Sequence, residues 1–282
     1  MFAGIVQRAI TADVADVERL FAEARLSFLR RWLSDLNECA DDGLLFTASR
    51  RGHICAALAC SQQNAEVYSI YGAAFQRDED AETFLPPLLQ RIIARLRELR
   101  ASLLTYVGTE DWLARRLLWA DFTVAESVVT LLNTSAHVPA LEVQDPIHIR
   151  RPEERDVAAI ARVDKDAFPT EWHYSETVLR RALHTADVFL LAEDEEVIGY
   201  AYGDVQGGSA HLTRLAICPN RQGHGVGAAL LAQAMRLFQE RGAWWITLNT
   251  QRSNAISQRL YQRFGFQPIG QSVPLLVYRV RR

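Results

Sequence analysis

The run Arg221-Gln222-Gly223-His224-Gly225-Val226-Gly227 carries three glycines at alternate positions. Before it, segment 211–217 alternates in the manner of a strand and stops at a Cys-Pro pair. After it, apolar residues between Leu230 and Phe238 recur on one helical face. Glycine lets the main chain approach a ligand closely, and a helix N-terminus adds unpaired N–H donors and partial positive charge. The run therefore predicts an anion site suited to a phosphate or pyrophosphate.

Three nucleotide-binding motifs have this order of strand, glycine loop and helix. A Walker A loop ends in Gly-Lys-Ser/Thr, but Gly227 is followed by two alanines. A dinucleotide fingerprint needs Gly-x-Gly-x-x-Gly, and the glycines here are spaced differently. The pattern Gln222-x-x-Gly225-x-Gly227 resembles the Gln/Arg-x-x-Gly-x-Gly/Ala motif of the GNAT acetyltransferase superfamily, whose members bind acetyl-CoA there.

A second motif follows after one predicted strand. The segment 254–266, Asn-Ala-Ile-Ser-Gln-Arg-Leu-Tyr-Gln-Arg-Phe-Gly-Phe, is similar to the family pattern Asn-x-x-Ala…Leu-Tyr-x-x-x-Gly-Phe. The resemblance implies that Asn254 contacts the pantetheine arm of acetyl-CoA and that Tyr261 protonates the departing thiolate. From the residues alone, Asn254 is also a helix N-cap, and Tyr261 also suits a half-buried helix face.

The resemblance implies a full cofactor site for acetyl-CoA as co-substrate. The main chain of the fourth strand would pair with pantetheine, the glycine loop would hold the pyrophosphate, and an arginine would add charge. These cofactor residues are Leu215, Ala216, Ile217, Arg221, Gln222, Gly223, His224, Gly225, Val226, Gly227 and Asn254.

The general base is less determined by the sequence. Relatives use a glutamate on the fourth or fifth strand, but no acid lies on either strand here. His211 titrates in a useful range and is the candidate base, although a lone histidine at a strand end is often only a surface or hydrogen-bonded residue. The open alternatives are a water chain or one of three other side chains, Glu171, His173 and Asp204.

The segment 167–174, Ala-Phe-Pro-Thr-Glu-Trp-His-Tyr, is the candidate acceptor site. Its Phe-Pro…Trp pattern is similar to that of N-terminal acetyltransferases of ribosomal proteins, and the tandem layout also resembles mycothiol synthase. Glu171 would attract a cationic amine, and Trp172 and Tyr174 would form an apolar or cation–π wall. The alternative is that Phe168 and Trp172 only pin a loop to the core.

An internal repeat organises the whole chain. Segment 6–17 echoes segment 149–160 at an offset of 143. Further matches follow an offset of 144: 46–55 with 190–199, 71–73 with 215–217, and 121–122 with 265–266. The repeat predicts an α/β (α+β) fold of two tandem GNAT-like domains, 1–144 and 145–282, each a mixed, mostly antiparallel sheet flanked by helices. An Asp-Pro pair marks the boundary.

The first half lacks the residues that carry the resemblance. At the offset of 144, the segment 222–227 falls on 78–83, Asp-Glu-Asp-Ala-Glu-Thr, which has four carboxylates and no glycine. Asn254 falls on Glu110, and Tyr261 falls on Leu117. Like charges repel a pyrophosphate. The first domain is therefore expected to be degenerate and not to bind acetyl-CoA.

Composition narrows the partners. The 282 residues carry 31 basic and 34 acidic side chains, so no basic footprint for nucleic acid is present. The sequence contains no apolar run long enough to span a membrane and no visible signal peptide. The four cysteines show no metal spacing and suit a reducing cytoplasm. We expect a cytoplasmic monomer or homodimer without a metal.

The leading hypothesis is an acetyl-CoA-dependent N-acetyltransferase acting on a primary amine of a small molecule or a peptide N-terminus. One alternative is an acyl-CoA-binding sensor without turnover, against which the intact Tyr261 argues. Another is an inert scaffold, against which the intact glycine loop argues more strongly.

Overall fold

The computed structural model describes residues 5–10, 13–30, 35–135, 138–139 and 147–281. The chain divides into two compact units. The first comprises Met1–Ala125 with Pro274–Arg282, and the second comprises Glu126–Val273.

The first unit is a mixed sheet flanked by helices. Its sheet order is β1-β3-β4-β5-β6, continued by residues 275–279 of the last strand. Along this order the neighbouring strands are antiparallel except β5 with β6, which are parallel. Its elements are β1 (Ile5–Arg8), α1 (Val14–Glu23), β2 (Leu26–Leu29), α2 (Leu36–Asp41), β3 (Leu45–Arg50), β4 (His53–Gln62), β5 (Val67–Phe75), α3 (Asp78–Glu98), β6 (Leu103–Val107) and α4 (Asp111–Trp119).

The second unit has the same architecture. Its sheet order is β7-β12-β11-β10-β9-β8, and only β11 with β12 is parallel. Its elements are β7 (Thr123–Asn133), β8 (His148–Arg150), α5 (Val157–Ala167), α6 (Glu176–Thr185), β9 (Val188–Glu193), β10 (Val197–Gln206), β11 (Ser209–Ile217), α7 (Val226–Glu240), β12 (Trp245–Gln251), α8 (Ala255–Arg263) and β13 (Gln267–Arg279). The predicted fold class is confirmed.

The two sheets are completed by strands that leave their own half of the sequence. Residues 128–133 of β7 pair with β12 in the second unit, and residues 275–279 of β13 pair with β6 in the first. Cutting the chain at residue 144 would therefore remove an edge partner from each sheet.

The repeat is present at the level of elements. The strands β4 and β10 are both ten residues long and start 144 residues apart, and the helices α4 and α8 are both nine residues long at the same offset. The strands β5 and β11 are both nine residues long but start 142 residues apart. The expected match of 71–73 with 215–217 is therefore wrong by two residues, because the turn before β5 spans 63–66 whereas that before β11 spans only 207–208.

An open slot lies along the second half of β11. Its pairing with β12 ends at Leu212. Thr213 is a β-bulge. The adjacent residues Tyr202 and Gly203 of β10 pair with Arg214 and Leu212 of β11, so Thr213 between them has no partner on β10. A bulge bends its strand and ends pairing on one side. In the described part of the chain, residues 213–217 have no strand partner on the β12 side.

The corresponding slot in the first unit is filled by the chain itself. The pairing of β5 with β6 ends at Ser69, and Tyr71 is the bulged residue. Beyond the bulge, β2 pairs antiparallel with residues 72–75, and the Arg30 N–H donates to the Tyr71 carbonyl at 2.8 Å. The place beside β5 is thus taken by a protein strand.

The helix after each slot starts differently. In the first unit α3 begins at Asp78, three residues after β5, and its first turn contains three acids. Asp78 pairs with Arg25 at 2.7 Å, and the fully buried Asp80 pairs with Arg50 at 2.7 Å. In the second unit an eight-residue loop separates β11 from α7.

Each unit has its core on both faces of its sheet. In the second unit, α7 and α8 pack on one face around Leu231, Met235 and Phe238, and α5 and α6 pack on the other around Tyr200 and Leu191. Among the described residues, no helix has the length and apolar character needed to cross a membrane.

Candidate functional site

The loop before α7 is shaped by two left-handed glycines. Gly223 has φ +84° and Gly225 has φ +86°, a conformation that residues with a Cβ rarely adopt. Gly225 is the N-cap of α7, and no side chain caps this helix. The first main-chain N–H groups of α7 therefore lack an acceptor in the described structure, and residues 222–224 are exposed.

Gly227 serves close packing rather than an unusual backbone. A Cβ placed there would lie 3.5 Å from the side chains of both Ile217 and Leu260. The start of α7, the end of β11 and the helix α8 therefore meet at this residue. Gly227 and Ile217, two of the sequence-predicted cofactor residues, thus meet beside the helix that carries the second motif.

The side chains of the loop are partly engaged within the protein. The Gln222 amide donates to the Ile217 carbonyl at 3.2 Å, which ties the loop to the end of β11. Arg221 forms an ion pair with Asp194 in the turn between β9 and β10. The His224 side chain is exposed. The main chain of the loop, more than its side chains, is therefore left to bind an anion.

The residues Leu215, Ala216 and Ile217 line the open slot of β11. Leu215 and Ile217 pack toward the core beneath α7, and Ala216 is buried toward α5 and α6. Their main-chain edge on the β12 side has no strand partner among the described residues. An extended ligand with amide groups is able to pair there as an added strand.

Helix α8 supplies the two predicted polar residues. The Asn254 side chain accepts from the Ser257 N–H at 3.0 Å and so caps the helix, which leaves its NH2 group available to donate. Tyr261 is 6 % exposed and its ring lies 5.9 Å from that of Phe266. Burial raises the pKa of the Tyr261 hydroxyl, and the Arg214 cation acts in the opposite direction.

In His211, the ring nitrogen Nδ1 is engaged in a hydrogen bond within the protein, and Nε2 is the other ring nitrogen. The Thr247 hydroxyl donates to the Ala210 carbonyl at 3.2 Å, so its oxygen accepts from His211 Nδ1, 2.9 Å away. In the neutral ring, Nε2 then carries the lone pair. Burial lowers the pKa of His211 below its ordinary value.

The three alternative bases differ in their surroundings. Burial raises the pKa of the Asp204 carboxyl, against the hydrogen bonds from the Asp187 main chain and Thr213. Glu171 and His173 lie in the partly exposed segment 169–173, where the N–H groups of Trp172 and His173 both donate to the Pro169 carbonyl.

The segment 168–174 is organised around an arginine that the sequence did not single out. The Arg214 guanidinium lies 3.6 Å from the ring centre of Phe168 and 4.1 Å from that of Tyr174. It donates to the Trp172 carbonyl at 2.8 Å and forms a buried ion pair with Asp164 at 2.7 Å. The Phe168 and Tyr174 rings thus hold an internal cation. Of the two aromatic residues expected to meet the acceptor, Tyr174 has one face occupied.

An arginine at a position where the strand pattern expects a buried apolar residue is a sequence signal for a buried ion pair. Arg214 interrupts the apolar alternation of segment 211–217. Lysine and arginine are almost never fully buried unless paired, so its position implied a hidden acid. Nothing local indicates which acid, because Asp164 is 50 residues away.

No cluster of three or more His, Cys, Asp or Glu side chains able to hold a metal occurs in the residues that the structure describes. All four cysteines are free thiols.

Residues 157–266 match the model of the Acetyltransferase (GNAT) family. This segment is a GNAT domain. It contains the open slot, the glycine loop and α8, and the match supports an acyltransferase.

Curated relatives match less than half of the chain. An uncharacterized N-acetyltransferase of Methanocaldococcus jannaschii is 27% identical over 120 residues, which cover 42% of this chain and 77% of that protein. A Bacillus subtilis protein assigned as a [ribosomal protein bS18]-alanine N-acetyltransferase is 26% identical, covering 43% and 82%. The mycothiol acetyltransferase of Amycolatopsis mediterranei is 31% identical, covering 40% and 43%.

Solved structures share the fold of the whole chain. A GCN5-related N-acetyltransferase from Sphaerobacter thermophilus has a TM-score of 0.65 at 17% identity, covering 100% of this chain and 97% of that one. A tandem GNAT protein from the clavulanic acid biosynthesis pathway has a TM-score of 0.66 at 11% identity, covering 99% of both chains. At these identities the likeness shows the fold alone, which is consistent with a tandem GNAT architecture.

Proposed function

We propose that the protein is an acetyl-CoA-dependent N-acetyltransferase that moves an acetyl group to a primary amine of a small molecule or a peptide N-terminus. The observation that carries this proposal is the conjunction in one unit of an unpaired strand edge and an uncapped helix start. The edge belongs to residues 213–217, and the helix start to Gly225.

The cofactor would lie along this path. The main chain of Leu215, Ala216 and Ile217 would pair with the pantetheine amides, and the NH2 group of Asn254 would donate to them. The N–H groups of residues 222–227 would hold the pyrophosphate, where the helix dipole favours negative charge. Arg221 is already paired with Asp194, so its contribution to phosphate binding would be shared with that carboxylate.

Two side chains would handle protons. Bound acetyl-CoA supplies the acetyl group as a thioester. Nε2 of His211 would take a proton from the acceptor nitrogen as it forms the new C–N bond. The Tyr261 hydroxyl would give its proton to the sulfur as the C–S bond breaks, and its raised pKa keeps that proton in place until the thiolate forms.

The acceptor would approach beside segment 168–174. Glu171 would attract a cationic amine, and Trp172 with the remaining face of Tyr174 would form the wall. Likeness to the Bacillus subtilis protein, which is assigned as a ribosomal-protein alanine N-acetyltransferase, supports a peptide N-terminus as the acceptor. Likeness to the mycothiol acetyltransferase supports a small-molecule amine. We propose no nucleic acid or membrane partner, a cytoplasmic location, and a monomer or homodimer without a metal.

The first domain, assigned to residues 1–144, is proposed not to bind acetyl-CoA, and the catalytic domain to be 145–282. Two features of the first unit support this. Its strand β2 takes the edge of β5 that a pantetheine arm would need. Its helix α3 starts with three acids, Asp78, Glu79 and Asp80, which put negative charge where a pyrophosphate would need donors, even though arginines pair with the first and the third.

Thiol release from acetyl-CoA separates this function from a sensor. The purified chain is incubated with acetyl-CoA and one of three amines, a peptide with a free N-terminal alanine, spermidine or glucosamine, and free thiol is measured. Amine-dependent release supports the enzyme. Calorimetric binding of acetyl-CoA without release on any amine would favour a sensor, and absence of binding would contradict both.

A further inference from the structure

A buried ion pair joins the open slot to the acceptor segment. Arg214 follows the bulge of β11 directly and is 7% exposed, and Asp164 of α5 is fully buried. The contact is two-pronged, with Nε 2.8 Å from Oδ2 and a terminal nitrogen 2.9 Å from Oδ1. The Tyr200 hydroxyl also donates to Asp164.

The same pair holds segment 168–174 by four contacts. The Phe168 and Tyr174 rings lie 3.6 and 4.1 Å from the guanidinium carbon. The Trp172 carbonyl accepts from Arg214 at 2.8 Å, and the Tyr174 N–H donates to Asp164 at 2.6 Å. Both ends of the segment and its middle are therefore fixed to one charged pair.

Packing alone does not explain this pair. Apolar residues of similar volume often stabilise a core as well as a buried ion pair does, or better. What the pair adds is geometry, because a guanidinium fork on a carboxylate defines an orientation that apolar contacts do not. Burial by itself would lower the pKa of Arg214, but the Asp164 carboxylate outweighs it and the pKa is raised, so the cation persists.

We infer that Arg214 and Asp164 are positioning residues that fix segment 168–174 against the open slot of β11 and thereby set where the acceptor amine meets the thioester. The inference rests on the proposed function for its assignment of the slot to acetyl-CoA and of the segment to the acceptor. The charge of Arg214 also reaches Tyr261, where it opposes the effect of burial on the pKa of the proposed acid.

The test removes both charges at once. The double variant Arg214→Met with Asp164→Leu leaves no orphan buried charge. Its matched control is Arg50→Met with Asp80→Leu, which removes an ion pair of the first unit in which the carboxylate is buried and the guanidinium is partly exposed. Three quantities are measured: hydrogen exchange of peptides covering 168–174, the Kd of acetyl-CoA, and kcat and KM for the amine that gives the fastest thiol release.

The positioning role predicts a selective effect. In the double variant, amides of 168–174 exchange about 10-fold faster or more. The kcat/KM for the amine falls about 100-fold, since a misplacement of about 1 Å is enough for such a loss. The Kd of acetyl-CoA stays within about 3-fold. The control changes none of the three.

Three results would each overturn the inference: unchanged exchange in 168–174, an unchanged kcat/KM, or an equal loss of acetyl-CoA affinity, which would indicate general support of the fold. If the double variant does not fold, Arg214→Lys keeps the charge and loses the two-pronged contact, and the same selective loss is expected. Absence of thiol release from the wild type with every amine would refute the proposed function, whereas unchanged exchange would refute only the positioning role.

Discussion

Tyr261 is a residue at which two environments oppose each other. Burial raises the pKa of its hydroxyl, and the Arg214 cation acts to lower it. A group in this situation holds its proton at neutral pH and is available as a hydrogen-bond and proton donor to the departing sulfur. The sequence pattern around Tyr261 predicted this residue as the acid, and the structure adds the nearby cation.

Replacing Tyr261 by Phe is expected to lower kcat about 100-fold with the Kd of acetyl-CoA unchanged, because one proton donor is lost and little packing changes. Steady-state measurement of thiol release gives kcat, and calorimetric titration gives the Kd of acetyl-CoA. A kcat equal to that of the wild type would remove Tyr261 from the mechanism.

The pH dependence follows from His211. Burial lowers the pKa of this ring below its ordinary value of about 6.5, so the base is neutral and competent at higher pH and is lost as pH falls through the lowered pKa. Once kcat/KM is corrected for the neutral fraction of the amine, we expect it to be flat from pH 7 upward and to decline only below about 6.5. In His211→Gln this acid limb should disappear together with most of the rate. An acid limb that persists in the variant would point to another base, such as Asp204, whose pKa burial raises.

At the scale of elements, the strand, loop and helix of each motif could be predicted from the sequence. Alternation, glycine spacing and helical periodicity are local signals, and they gave β11, α7 and α8. The filling of the first slot by β2 could not be predicted, since Leu26–Leu29 pairs with residues more than 40 positions away. The Arg214–Asp164 pair was missed for the same reason: the two residues are 50 positions apart, and an ion pair produces no periodic pattern in the sequence.

The two slots predict opposite exchange behaviour. Amides of 26–30 are paired with β5 already and should be protected equally with and without acetyl-CoA. Amides of 215–217 should exchange more slowly once acetyl-CoA is added, by about 10-fold or more. Hydrogen exchange followed by mass spectrometry measures both in one sample. Loss of protection in 26–30 on adding acetyl-CoA would mean that the ligand displaces β2, contrary to the proposal for the first domain.

At the scale of the whole molecule, the sequence repeat and the compact units divide the chain differently. Residues 128–133 of β7 belong to the sheet of the second unit, where Leu131 is 1% exposed and the Asn133 side chain donates to the Phe264 carbonyl at 2.6 Å. The repeat places these residues in the first half. The repeat boundary is set by which residues resemble one another in sequence, whereas the boundary of a compact unit is set by which strands pair.

This exchange of strands predicts which fragment keeps its fold. The fragment 126–273 retains β7 and should bind acetyl-CoA with a Kd within about 10-fold of that of the full chain. The fragment 145–282 lacks β7, and loss of Leu131 alone costs about 3 kcal/mol, so it should be unfolded or aggregated. Circular dichroism and calorimetry on both fragments check this. A stable, binding-competent 145–282 would show that β7 is dispensable.

Calorimetric titration of the full chain with acetyl-CoA tests the central claim most directly. One site per chain is expected, and it should be lost in Gly225→Asp, because the substitution adds a carboxylate and a Cβ at φ +86°. The matched control Gly242→Asp makes the same change at φ +84° at the far end of α7, with open space around it, and should bind within about 3-fold of the wild type. Two sites per chain, or undiminished affinity in Gly225→Asp, would contradict the account.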